Sequence, residues 1–227
     1  VFENYPSLKV GVIVTTNIDN SGAPSELVTM LHTEEQKILA TMDIETFREH
    51  PNIAALQEVH RSFGSSPNKF PSSSQALVKR ILKGGELPSI NPLVDTYNII
   101  SLRYLVCAGA EDSDACQEDI QLAYADGNEQ FQLIGGEEED PPKLGELIYK
   151  DEIGAICRKL NWREGDRTRT TESTRNAVVV IEGFPPFTED NLSKALKETA
   201  ELLQKFCSAE TRIEILTKDN SSCTVKD

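Results

Sequence analysis

The segment "NPLVDTYNIISLRYL", residues 91–105, reads as a helix with almost no face for water. Leu93, Val94, Tyr97, Ile99, Ile100, Leu102, Tyr104 and Leu105 crowd it, so it belongs inside a layered domain. Asn91 is placed to cap this helix, and Pro92 suits its first position. Asn91, Asp95 and Asn98 fall at i, i+4 and i+7 and therefore share one stripe. An acid and two amides in such a helix need partners. Those partners are either the protein's own backbone or a ligand.

Upstream, "LKVGVIVTTNI" (8–18) is rich in β-branched residues and predicts a strand. Helices follow at 24–42, from Pro51 to about Arg61, and at 72–85, where serines cap the start and Gly-Gly stops the end. Downstream the pattern changes. Short strand-like runs at 119–125, 129–134, 145–151, 154–160 and 176–184 are separated by Gly, Asp and Pro, with "ADGNE" (125–129) reading as a hairpin turn. An amphipathic helix at 188–206, capped by Thr188, precedes a possible strand at 212–216 and a loose tail at 217–227. Early helices and late strands predict an α/β chain of α+β character: a mixed, partly antiparallel sheet covered by helices.

The 227 residues suit one large domain or a domain with an N-terminal extension. No apolar run approaches the ~20 residues of a membrane span, and "VFENYPSLKV" reads as neither signal nor transit peptide. Cys107, Cys116, Cys157, Cys207 and Cys223 form an odd set without a CxxC pair, which favours free thiols in a reducing cytoplasm and predicts no zinc site. "HTE" at 32–34 is half of a zinc-deaminase signature whose other half is missing, so it reads as coincidence.

A formal charge of −14 argues against a general nucleic-acid binder, and no DNA partner is expected. The charge is uneven. Residues 111–152 carry 14 Asp/Glu against 2 Lys, whereas 158–175 carry Arg158, Lys159, Arg163, Arg167, Arg169 and Arg175 against 3 acids. The acidic stretch reads as a solvated face, leaving the basic island free to meet a phosphate.

GxGxxG, Walker, GxSxG and HExxH signatures are missing. The richest stretch is "CRKLNWREGDRTRTTEST" (157–174), with Arg, Asn, acids, hydroxyls and the single Trp between two strands. Trp162 beside Arg163 has the means to stack on a base and pair with a phosphate. It also suits a structural corner in which Trp fills a gap while Arg and Asp pair with each other.

Here the residues carry a resemblance. "PSSSQALVKRILKGGELPSINPLVDTYNIISLRYL", "GAED", "DIQLAYADGNEQF", "GELIYKD" and "CRKLNWREGDRTRTTEST" before "VVVIEGF" resemble the B3/B4 domain of the phenylalanyl-tRNA synthetase β subunit, in its free-standing form. The resemblance spans 67–184, with 1–66 as a strand and helices of the same globule and 185–227 as a closing helix, strand and tail. It implies a helix-covered mixed sheet and a pocket between two subdomains. It also implies hydrolysis of a mischarged aminoacyl ester at a tRNA acceptor end, without ligase activity.

Such a reaction needs a positioned water and stabilisation of an oxyanion, and neither metal nor cofactor is expected. The resemblance carries over the pocket as a region and assigns no individual catalytic residue; Asp95, Asn98, Glu111 and Thr168 are the catalytic candidates in it, and Asn161, Trp162, Arg163 and Arg167 the substrate-binding ones. Asp95 would hold the α-ammonium, Asn98 a water or carbonyl, and Arg163 the terminal phosphate. The synthetase domain often carries a histidine where this chain has Ala110-Glu111, and no histidine follows His60. A histidine-dependent mechanism is therefore not carried over. The alternative is a non-catalytic module that binds RNA or a protein through the same cleft.

Overall fold

The computed structural model describes residues 1–225; Lys226 and Asp227, the last two of the expected tail, lie outside the described residues. The chain runs β1 (Lys9–Thr16), α1 (Ser25–Thr41), a 3-10 turn (Phe47–Glu49), α2 (Pro51–Ser62), α3 (Ser73–Leu82) and α4 (Pro92–Tyr104). It continues with β2 (Ala108–Asp112), β3 (Gln121–Tyr124), β4 (Leu147–Lys150), β5 (Ala155–Arg158), β6 (Arg163–Glu164), β7 (Ala177–Gly183), α5 (Glu189–Cys207) and β8 (Glu210–Leu216). The α/β class is as expected, but the strands divide into two four-stranded sheets, β2-β7-β1-β8 and β3-β4-β5-β6, and every named ladder is antiparallel.

Alternation explains the layering. On one face of the first sheet Ile13, Ala108, Ala110, Val179 and Ile181 join the apolar faces of α1, α3, α4 and α5 in the main core. On the other face Val10, Val12, Val14 and Val178 pack with Leu56 and Val59 of α2 and with Leu147 and Leu160 of the second sheet's region. Both faces of β7 are thus covered, which is why "AVVVI" is continuously apolar and not alternating. Cys223 and Val225 of the tail also pack against this second cluster.

Local chemistry sets the helix ends. Asn91 Oδ1 accepts from Val94 N at 3.0 Å, with Pro92 at the first position of α4. Ser72 and Thr188 cap α3 and α5 through Gln75 N and Asn191 N. One expectation is corrected at 125–134. The turn exists, with Gly127 at φ +86° and Glu129 accepting from the backbone of Asp126 and Gly127. It does not join a hairpin, because β3 pairs with β4. The run after the turn instead makes isolated bridges, Gln130 to Gly154 and Leu133 to Gly165.

The opening stripe has a different answer at each position. Asn91 caps α4. Asp95 is fully buried, and its carboxylate accepts from Ser89 Oγ and, at 3.0 Å, from Ile90 N, fastening the loop before the helix. Asn98 lines a cavity. We expect Asp95→Asn to lower stability by about 1–3 kcal/mol, since it turns an acceptor of two hydrogen bonds into a mismatched amide. Urea unfolding checks this, and an unchanged midpoint would contradict it.

Candidate active site

A cavity of about 580 Å³ lies between the two sheets, roofed by α3 and α4. Its size suits a small organic group. The first sheet contributes Gly109 and Glu111 from β2, and Val178, Val180 and Glu182 from β7. These positions alternate along their strands, so their side chains share the face turned away from the main core. The second sheet brings Tyr149, Ile156, Cys157, Arg163 and Glu164.

Three carboxyl groups therefore converge from three strands. Glu182 is buried and accepts from the Tyr149 hydroxyl at 3.0 Å. Burial is the main force on it, pushing its carboxyl up to about 8. Burial likewise lifts Glu164 to about 7. Glu111 is raised well above the carboxylate range by burial first and by the charge of Glu164 second, partly offset by Thr168 and Arg167. Its Oε2 has no hydrogen-bond partner. The phenols of Tyr97 and Tyr149 and the thiol of Cys157 are pushed up by the same burial and then by these carboxylates.

Glu164 can occupy the floor only because β2 has a glycine there. A Cβ at residue 109 would stand 2.7 Å from Glu164 Oε1. We expect Gly109→Ala to swing the Glu164 carboxyl away while leaving the β2–β7 ladder intact, because the obstructed atom ends a flexible side chain. A crystal structure of the variant with Glu164 in its original rotamer would contradict this.

The turn after β5 supplies the amide. Lys159 (φ +49°) and Leu160 (φ +65°) both take left-handed backbone, an uncommon state for residues with a Cβ. Burial of Leu160, 0% exposed, and the ion pair of Lys159 hold them there. The reversal places Asn161 with its Oδ1 against His60 Nε2 at 3.2 Å. Burial lowers the pKa of His60, and because Asn161 Oδ1 can only accept, Nε2 is the donor. Asn161 Nδ2 completes no hydrogen bond of good geometry, yet it lies near enough to Glu182 to favour the ionised form of that carboxyl group.

The sequence-derived candidates separate. Asn98, Glu111, Asn161, Trp162 and Arg163 line the cavity. Asp95 and Thr168 do not; Asp95 serves the 89–90 loop, and Thr168 is buried near Glu111. Arg167 is held by Asp151 in a two-pronged pair at 2.6 and 2.8 Å. Trp162 meets Phe70 edge-on at 4.9 Å, with Lys159 and Arg158 over its ring, so it is a structural corner that also forms cavity wall. Glu164 and Glu182 were missed. The available signal was a charged residue inside an apolar strand, as in "AVVVIEG".

The basic island is corrected too. Arg158 pairs with Glu146 and Asp140, Lys159 with Glu146, Arg167 with Asp151 and Arg169 with Asp166. Three of these four acids come from the 111–152 segment, so much of the acidic excess and the basic island neutralise each other. Among the described residues Arg163 is the one cavity-lining cation, and it is exposed.

Among the described residues no group of three or more His, Cys, Asp or Glu is disposed to hold a metal ion, and Cys107, Cys157, Cys207 and Cys223 are free thiols. No described helix is long and apolar enough to cross a membrane.

Comparison with known proteins now adds to this geometry. No curated protein matches the chain. Among solved structures, an N-terminal fragment of the phenylalanyl-tRNA synthetase β subunit from Pyrococcus horikoshii is similar at 14% identity and a TM-score of 0.47. The similarity covers 93% of this chain and 48% of that one, so this chain spans about half the length of the fragment. The family model of the B3/4 domain matches residues 55–208, which hold α3, α4, both central strands of the cavity wall and the Asn161 turn. The chain belongs to the B3/4 domain family.

Proposed function

We propose that the protein is an aminoacyl-tRNA deacylase: it hydrolyses the ester of a mischarged amino acid at a tRNA acceptor end. The observation that carries this reading is the convergence of Glu111, Glu164 and Glu182 with Asn98 and Asn161 on one cavity sized for an amino acid. Membership of the B3/4 family and the resemblance of residues 67–184 to the synthetase domain support the choice of tRNA. The free thiols of Cys107, Cys157, Cys207 and Cys223 suit a reducing, cytoplasmic setting.

The chemistry runs on carboxyl groups. A glutamate whose proton leaves near pH 7–8 is matched to general-base work at physiological pH. Glu182, oriented by Tyr149, accepts a proton from water as the water oxygen bonds to the ester carbonyl carbon. The carbonyl oxygen becomes an oxyanion, and the Nδ2 of Asn161 or of Asn98 donates to it. Collapse breaks the bond to the ribose oxygen, which takes up the proton from the carboxyl group. The products are free amino acid and uncharged tRNA.

Arg163, exposed at the cavity rim and without a carboxylate partner among the described residues, is suited to the terminal phosphate. We expect Arg163→Ala to weaken tRNA binding and to flatten its salt dependence by about one unit of slope. Arg167→Ala leaves the slope unchanged and lowers stability instead, because it strips Asp151 of its partner. Filter binding across a salt series checks both, and equal slopes for wild type and Arg163→Ala would remove Arg163 from the interface. Deacylation of a panel of mischarged tRNAs tests the whole reading.

A further inference from the structure

The cavity is unbalanced in charge in a way that ester hydrolysis alone does not require. One carboxylate and an amide suffice to activate water and steady an oxyanion. Here three carboxyl groups share one apolar-walled space, and among the described residues the single cation on its lining, Arg163, is exposed to solvent. Two further features point to a missing partner. Glu111 is only 8% exposed, yet its Oε2 has no hydrogen-bond partner. Asn161 is 9% exposed, and its Nδ2 is likewise unpartnered while its Oδ1 is held by His60. An acceptor and a donor, both buried and neither in a hydrogen bond of good geometry beyond the weak influence of Thr168 on Glu111 and of Asn161 on Glu182, line the same cavity. Buried polar groups seldom stay unmatched without a function.

We propose that the cavity is a cation-recognition site for the amino-acid part of the ligand: a positively charged nitrogen seats among Glu111, Glu164 and Glu182, while the adjoining carbonyl accepts from Asn161 Nδ2. The inference rests on the deacylase reading for its choice of an amino acid, though not for the charge. The positive nitrogen is the α-ammonium that every aminoacyl ester carries, or the side-chain group of a basic amino acid, and three carboxyl groups have room for either.

A consequence in protons follows. Without ligand, Glu164 and Glu182 hold protons over part of the neutral range, because burial disfavours their charge. The groups around them do not supply a compensating cation. Tyr97 from α4, Tyr149 from β4 and Cys157 from β5 are neutral, and the charge of Arg167 is shared with Asp151. An arriving ammonium favours the ionised carboxylates, so ligand binding releases protons and strengthens as pH rises from about 6 to 8.

The test uses the full-length chain and four soluble probes in calorimetric titration: L-norleucinamide, Nα-acetyl-L-norleucinamide, L-lysinamide and Nα-acetyl-L-lysinamide. Repeating each titration in two buffers of different ionisation enthalpy reads the protons released. The expected result is that Nα-acetylnorleucinamide, which has no charge, binds at least tenfold more weakly than the tightest-binding charged probe. The charged probes should release protons, and Glu164→Gln and Glu182→Gln should each reduce that release. If both lysinamides bind and norleucinamide does not, the side-chain cation is the one seated; if only the free α-amines bind, it is the α-ammonium. Binding of the uncharged Nα-acetylnorleucinamide as tight as that of the best charged probe, binding without proton release, or no binding of any charged probe would overturn the proposal. None of the probes contains an ester or RNA, so failure of the deacylase reading leaves this result standing on its own.

Discussion

Glu182→Gln is expected to lower the rate of deacylation by about 10²–10⁴-fold, the range that a positioned general base contributes. Gln keeps the shape and the contact with the Tyr149 hydroxyl but has no site for the proton of the attacking water. In the wild type the rate should rise with pH through about 8, as Glu182 loses its proton, and this rise should vanish in the variant. Stability should move the opposite way. A glutamate in the unfolded chain has lost its proton above about pH 4.3, whereas folded Glu182 keeps it up to about 8. Between those values the folded state binds more protons than the unfolded one, so raising the pH costs stability. Glu182→Gln removes that cost, and its melting temperature at pH 8 should exceed the wild type's. A variant that melts lower and hydrolyses normally would place Glu182 in the architecture and not in the chemistry.

The second large effect concerns the fold. Glu146→Ala should lower stability by about 3–5 kcal/mol, the usual result of leaving buried charge unpaired. Glu146 Oε1 and Oε2 take Arg158 Nε and Nη2 at 2.8 and 2.9 Å, and Oε2 also takes Lys159 Nζ at 2.9 Å. All three residues are buried, and Asp140 at the rim is the remaining partner of Arg158. Burial raises the Glu146 carboxyl, but the hydrogen bonds from Arg158 and Lys159 outweigh it and hold the group below its ordinary range. A depressed carboxylate contributes stability above its unfolded value of about 4.3 and loses it as pH falls through the lower folded value. Acid unfolding should therefore begin at higher pH in the Glu146→Ala variant at matched temperature. Because Lys159 leads directly into the turn of Asn161, the variant should also lose cavity function. Denaturant unfolding with an unchanged midpoint would contradict the importance of this pair.

The helices were legible because their signals are local. Asn91 with Pro92, Ser72 and Thr188 announce helix starts that the structure confirms. The apolar run of α4 announced burial on all sides, and α4 indeed lies between α1, α5 and β2. The strands β1 and β7 were legible as β-branched runs. β2 was not, since "AGAED" has two alanines, a glycine and two acids and none of the usual strand formers. Its strand state comes from pairing with β7, residue by residue from Ala108–Ile181 to Asp112–Ala177. β6 has only two residues and is likewise a product of its neighbour.

The site was half legible for the same reason. Asn161, Trp162 and Arg163 lie in a loop conspicuous in composition. Asn98 was found by helical spacing, but the spacing did not distinguish it from Asp95, one turn away, which serves the preceding loop. Glu164 and Glu182 gained their role from tertiary convergence: Glu182 is 18 residues from Glu164 and 71 from Glu111 in sequence, yet lines one cavity with both. The charge blocks misled in one respect. Arg158, Lys159 and Arg167 looked available for phosphate, whereas Glu146 and Asp151 already hold them. Opposite blocks close in sequence are natural ion-pair partners, and here part of the acidic stretch turns inward to the basic block and is not a solvated face.

The measurement that tests the central claim most directly is single-turnover deacylation, with the wild-type protein and Glu182→Gln each mixed with a complete panel of mischarged aminoacyl-tRNAs. The account predicts that the wild type hydrolyses at least one member of the panel well above its spontaneous rate, and that Glu182→Gln binds the same substrate but fails to hydrolyse it. Spontaneous rates across the whole panel with the wild type, or undiminished hydrolysis by Glu182→Gln, would contradict it.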